Sequence, residues 1–247
     1  MTLSEFFVQN PRTAVAFSGG TDSALVLWVA RTYGRETRAY YVHTAFQPAF
    51  ELADARRLAR ELEAPLTVVE ADVLSVPGAA ENGPERCYHC KRALFTHLWR
   101  AAREDGYPVL LDGTNASDDA GDRPGMRALR ELEVRSPLRE CGLTKDQVRQ
   151  LSRQAGLFTW DKPAYACLAT RGPTGTPITR EMLEKVERGE EALFRLGFTD
   201  FRLRLMGQAA RLQVPAEQME RAAGLHGAIT QALEADFSAV LLDLKGR

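Results

Sequence analysis

Short apolar runs alternate with stretches of helical periodicity through the first two-thirds of the chain. The first run, Ala14 to Phe17, is β-like and stops at Ser18-Gly19-Gly20; a helix follows over about 22–33, with Leu25, Leu27 and Trp28 along it and Gly34 ending it as a C′ residue. Arg38 to His43 is β-branched and aromatic and predicts a second strand. From Glu51 to Glu63 the apolar positions Leu52, Ala55, Leu58, Ala59 and Leu62 keep helical spacing, and Leu66 to Val69 predicts a third strand. A helix over 90–104 then leads to a short strand, Val109 to Leu111, which ends in Asp112-Gly113-Thr114-Asn115. A further strand is expected over Val134 to Leu138 and a helix over Thr144 to Gln154.

Strands separated by helices imply a parallel sheet covered on both faces, so the fold class is α/β. Ligands of such sheets bind at the carboxyl ends of the strands, where both "SGGTDS" and "DGTN" fall; the two loops are expected to share one crevice. The Gly/Pro/Thr-rich stretch Arg171 to Pro177 reads as a linker, which places a domain over 1–171 and a smaller α+β domain over 172–247. The latter shows a long helix (about 179–196), a strand pair (Phe201 to Leu205, Ala210 to Val214), a helix (about 215–234) and a last strand from Ala239 to Leu244.

Composition narrows the partners. The chain has 247 residues and a net charge of −1, which argues against a nucleic-acid partner held by its phosphate backbone. Neither a membrane span nor a secretory signal is evident, so a cytoplasmic protein is expected. Four cysteines in such a compartment point to metal or redox chemistry rather than stapling.

The loop from Ser18 to Ser23 has an anion-binding character. Gly19 and Gly20 let a ligand approach the backbone, Ser18, Thr21 and Ser23 carry hydroxyls, and the next helix begins there with free N–H groups. Asp22 would repel an anion unless a cation intervenes, which implies Mg²⁺ on a phosphate. A plain strand–helix turn with Thr21 or Asp22 as its cap is the competing reading. Asp112, Gly113, Thr114, Asn115 and Asp118 form the second loop, where Asn115 and Asp118 are equally suited to turn-making. "RCYHCK" heads a helix, so Cys87 and Cys90 lie one turn apart, close enough to hold one metal centre; two inert half-buried thiols are the competing reading. Cys167 lies in the irregular "WDKPAYACLATR", Cys141 reads as a structural thiol, and Trp160 as a packing anchor or a substrate platform. Three converging thiols would leave one coordination position open, for zinc or for an iron–sulfur cluster. Arg171, Arg202, Arg204 and Arg211 are candidate partners of a substrate phosphate or carboxylate.

"SGGTDS" after a strand resembles the pyrophosphate-binding loop of the PP-loop ATP pyrophosphatase superfamily (adenine nucleotide alpha hydrolase-like fold), in which ATP adenylates the substrate and releases pyrophosphate. "RCYHCK", "LLDGTNASD", "RPGMRALRELEVRSPL", "GLTKDQVRQLSRQAGL", "TWDKPAYACLATR", "ITREMLEKVERGEEALFRLGF" and "RLRLMGQAARLQV" follow in order, and this series is similar to the LarE-type sulfur transferases over essentially the whole chain. The resemblance implies an enzyme of a family that tends to form homo-oligomers. It would thiolate a pyridinium dicarboxylate mononucleotide, the precursor of the nickel-pincer cofactor used in lactate racemase maturation, with a separate sulfide source. It implies ATP with Mg²⁺ at Ser18 to Ser23 and the Asp112 loop, and adenine near His43. In the subgroup carrying the C-x-x-C pair it implies a [4Fe-4S] cluster on Cys87, Cys90 and Cys167, Cys167 being the sulfur donor or third ligand. Gln213 departs from the Glu that relatives often carry, which removes support for a metal role there. A PP-loop tRNA thiolase is the alternative, disfavoured by charge; a non-catalytic nucleotide- or zinc-binding protein is the alternative from another class.

Overall fold

The structure, a computed structural model, describes residues 1–118 and 124–247. The chain divides into two compact units: Met1–Ala79 with Glu85–Lys162, and Ala80–Pro84 with Pro163–Arg247. The division falls after Lys162, earlier than the linker at 171/172, because the segment holding Arg171 is fastened inside the second unit.

The first unit runs α1 (Leu3–Gln9), β1 (Arg12–Ala16), α2 (Thr21–Tyr33), β2 (Glu36–His43), α3 (Ala49–Glu61), β3 (Leu66–Glu70), α4 (Arg86–Glu104), β4 (Leu110–Leu111), α5 (Pro124–Glu131), α6 (Pro137–Glu140) and α7 (Lys145–Gln154). Its four strands are parallel in the order β3-β2-β1-β4. Successive residues of β1 and β2 serve opposite cores. Val15, Ala39 and Tyr41 join Phe6, Phe7, Leu25, Leu58 and Val148 on one face, while Ala14, Tyr40 and Val42 join Leu98, Trp99 and Leu110 on the other. Strands buried on both faces carry apolar runs rather than strict alternation, which is how β1 reads in the sequence.

Three local features depart from the sequence reading. Gly34 caps α2 with extended backbone (φ −81°) rather than the left-handed C′ conformation; its N–H reaches Ala30 O, and a Cβ there would stand 2.5 Å from that oxygen. The strand expected over 134–138 is one bridge, Leu111 to Arg135, because Pro137 starts α6 immediately afterwards. The helix α5 was not foreseen, although Pro124 sits at its start and Ala128 and Leu129 keep helical spacing.

In the second unit α8 (Arg180–Arg195) precedes the antiparallel pair β5 (Arg202–Met206) and β6 (Ala209–Gln213); α9 (Met219–Gly224) and α10 (His226–Leu233) lead to β7 (Val240–Leu242), parallel to β6. The single helix expected over 215–234 is broken into pieces at Leu225 beside Gly224. Leu193, Phe198, Leu203, Leu212 and Ile229 form this unit's own core.

Candidate active site

The chain lays down β1, β2 and β3 outward in one direction and returns to add β4 on the other side of β1. Both the β1–α2 loop and the loop after β4 therefore leave from the switch point of the sheet, where open α/β folds bind ligands. A cavity of about 590 Å³ opens there, the size of a small-molecule site. Its lining includes Ser18, Gly20, Asp22 and Ser23 from the first loop and Asp112, Gly113, Thr114 and Asp118 from the second. The opposite wall is Cys87, Lys91 and Phe95 of α4 with Pro124, Gly125 and Met126 of α5.

Inside the first loop, Ser18 N donates to Ser23 Oγ (3.2 Å) and the two hydroxyls lie 3.1 Å apart. Gly19 takes φ +73°, and a Cβ there would press on the Ala55 backbone at 3.1 Å, so this position needs glycine. Thr21 is buried and turns its hydroxyl away to Thr159 O (2.6 Å), anchoring the start of α2 rather than facing the cavity. Gly20 is the cap residue of α2 and, among the described residues, no side chain caps the helix, which leaves its first amides to receive an anion.

The two loops interlock. Asn115 Nδ2 donates to Asp22 Oδ1 (3.2 Å), and a Cβ on Gly113 would stand 2.8 Å from Ser23 N. Asn115 and Asp118 also make the turn, with Asn115 N on Asp118 Oδ2 and Ser117 N on Asn115 Oδ1. Asp112 is buried and accepts from the Thr114 hydroxyl and from Ser136 Oγ (2.6 Å), which fixes it as the organiser of its loop. Lys145, which the sequence reading passed over, pairs its Nζ with Asp22 Oδ2 at 2.5 Å. Its signal was a cation on the first turn of α7, the end where the helix dipole disfavours it.

His43, at the end of β2, pairs with Glu70 at 2.8 Å and is not among the residues lining the cavity. Cys141 packs on the core, and burial raises its thiol pKa, as suits an inert thiol. Trp160 lies under the Arg153 guanidinium at 5.1 Å and lends its carbonyl to Arg149.

Of the thiols, Cys87 and Cys90 stand on the first turn of α4, Cys87 exposed and facing the cavity. Cys167 belongs to the second unit, immediately before the short helical turn Leu168–Arg171. Soft thiolates suit iron or zinc. Among the described residues no three His, Cys, Asp or Glu side chains gather as around a metal ion. A magnesium ion asks for less, since it binds through one or two carboxylates together with substrate phosphates, and Asp22 on the cavity wall fits that demand.

Within the second unit Arg171 is fully buried and grips Glu190 through Nε (2.6 Å) and Nη2 (3.1 Å). Burial opposes its charge, but Glu190 outweighs burial and raises its pKa. Arg202 donates to Phe201 O and Ala164 O, and Arg204 to Gln213 Oε1 and Thr170 O. Both have lowered pKa values, from burial first and then from the charge of Arg171. Arg211 Nε lies 3.6 Å from Asp243. Gln213 bridges Arg204 and Asp243.

No protein-family model matches the chain. It is 39% identical over 223 residues to an uncharacterized protein of Synechocystis sp., covering 89% of this chain and 82% of that protein. It is 33% identical over 238 residues to the pyridinium-3,5-bisthiocarboxylic acid mononucleotide synthase of Lactiplantibacillus plantarum, covering 95% of this chain and 86% of the synthase. A tRNA-specific 2-thiouridylase of Clostridium botulinum is 23% identical over 210 residues, 71% of this chain and 60% of that enzyme. With the loop and the sheet order already pointing the same way, the chain belongs to the family of the pyridinium-3,5-bisthiocarboxylic acid mononucleotide synthases, sulfur-transferring LarE-type enzymes of the PP-loop superfamily.

Proposed function

We propose that this protein uses ATP to adenylate a carboxylate of a pyridinium dicarboxylate mononucleotide and then exchanges AMP for sulfur, leaving a thiocarboxylate. The observation that carries this reading is one cavity bounded by both the Ser18–Ser23 loop and the Cys87 thiol. Carboxylate oxygen is a poor leaving group, so carboxylate and ATP first give the acyl adenylate and pyrophosphate. Sulfide then attacks the acyl carbon and AMP departs with the former carboxylate oxygen.

The roles follow from the residues. The open amides of α2, with Gly19, Gly20 and Ser18, receive the pyrophosphate end of ATP. Asp22 holds Mg²⁺, which neutralises the phosphates, and Lys145 and Asn115 orient the Asp22 carboxylate. Asp112, Gly113 and Thr114 shape the neighbouring wall, and His43 borders the adenine. Arg202, Arg204 and Arg211 receive the anionic groups of the substrate; burial disfavours the charge of Arg202 and Arg204, so these two gain most from an arriving anion. Arg171 holds that group in place through Glu190.

The finer reading assigns Cys87, Cys90 and Cys167 to a [4Fe-4S] cluster, which when bound supplies an iron able to carry added sulfide. The C-x-x-C pair on one helical turn supports it. The nickel-pincer cofactor as the end product, a cytoplasmic site of action and a homo-oligomer belong to the same reading. Pyrophosphate exchange into ATP, measured with the pyridinium dicarboxylate mononucleotide on anaerobically purified protein, tests it. Exchange dependent on that substrate and lost in Asp22→Ala is expected, with about four irons per chain. Exchange unchanged in Asp22→Ala refutes the adenylation role, and a colourless protein with one zinc or no metal refutes the cluster.

A further inference from the structure

Within the cavity, α4 presents Cys87, Lys91 and Phe95 at intervals of four residues, so the three share one face over about 12 Å. The far end, Phe95 with Pro124 and Met126 of α5, is an apolar wall beside an ammonium group. Phe95 is half-buried, held at its base by the core around Leu98 and Trp99 while it lines the cavity.

From this wall we infer a ring-binding subsite that takes the cationic pyridinium ring of the substrate, with Phe95 as its platform and Met126 at its edge. The inference rests on the function proposed above. A phenyl face attracts a flat cation, and a thioether makes favourable contacts with aromatic rings. Lys91, one turn from Phe95 toward Cys87, meets a ring carboxylate, so the stripe reads carboxylate and ring together and sets which end of the substrate faces the thiol. Adenine is the other flat ring in the reaction. Its place is assigned to the end of β2 near His43, which the strand order puts on the opposite side of β1 from β4, and His43 does not line this cavity.

Phe95→Leu tests the inference while keeping the apolar contact with the core. Calorimetric titration of the full-length protein is made with nicotinic acid mononucleotide, with ribose 5-phosphate and, separately, with Mg²⁺–ATP. The expected result is a loss of about fivefold to tenfold in affinity for nicotinic acid mononucleotide. Ribose 5-phosphate and ATP should bind the variant as they bind the wild type. Equal binding of nicotinic acid mononucleotide by variant and wild type overturns the subsite and leaves the proposed function standing. Weakened ATP binding instead assigns Phe95 to adenine, and an equal loss for ribose 5-phosphate assigns it to cavity shape; each overturns the inference. A wild-type protein that binds no pyridinium mononucleotide overturns both readings at once.

Discussion

At the scale of single residues, the ion pair between Lys145 and Asp22 separates stability from function. Both side chains keep about a third or less of their exposure, and a pair of this kind contributes about 1 kcal/mol at most. Lys145→Met should therefore leave Tm nearly unchanged. Pyrophosphate exchange should fall by about tenfold to a hundredfold, since misplacing a group that orients catalysis is costly. Equal rates in variant and wild type would remove Lys145 from the site. Gly113→Ala should act more bluntly: a Cβ 2.8 Å from Ser23 N pushes the two loops apart, costing about 1–3 kcal/mol and most of the exchange activity. The Ser18–Ser23 loop was legible as the connection between β1 and α2, because an apolar run stops at its glycines and a helical run starts after them. Lys145 was not, because its partner lies more than a hundred positions away and pairing at that range leaves no periodicity. Thr21 was half legible: its place at the start of α2 could be read, but the direction of its hydroxyl depends on Thr159.

Among the elements, short apolar strands with buried faces declared themselves, whereas boundaries set by tertiary contact did not. The expected strand over 134–138 carries the right apolar residues, but Pro137 cannot donate to a ladder, and one bridge is all that forms. In the second unit the segment ending at Arg171 and the helix α8 are joined by the buried Arg171–Glu190 pair. Glu190 also accepts from Leu203 N of β5 and from the Tyr165 hydroxyl. Its carboxylate thus ties three stretches of chain together. Glu190→Gln leaves a buried guanidinium without its counter-charge, which costs about 3–5 kcal/mol. Thermal unfolding of the variant should start well below that of the wild type; coincident melting curves would show that the pair carries no such load. From the sequence Arg171 is a candidate substrate ligand because a planar guanidinium suits a phosphate or carboxylate. The acidic partner nineteen residues on gave no local sign.

For the whole molecule, the chain does not complete one unit before starting the next. Ala80–Pro84 leaves the first unit's run of sequence and belongs to the second, where Asn82 O accepts from Gly175 N, Ala80 O accepts from Ile178 N, and Asn82 Nδ2 donates to Pro173 O. No linker composition marks such an excursion, which is why a boundary read from glycines and prolines at 171–177 misses both it and the division after Lys162. A fragment of residues 1–162 retains both cores of the parallel sheet together with the loop and α4 walls of the cavity. Its residues 80–84 lose the carbonyls and amides they pair with, and unpaired exposed backbone is where proteases cut. The fragment should keep its helical circular dichroism and bind Mg²⁺–ATP with affinity near that of the full chain, while limited proteolysis nicks it between Ala79 and Glu85. In the full-length protein the same bonds should resist cleavage. Equal protection of 80–84 in fragment and full chain would show that this excursion holds its conformation without the second unit.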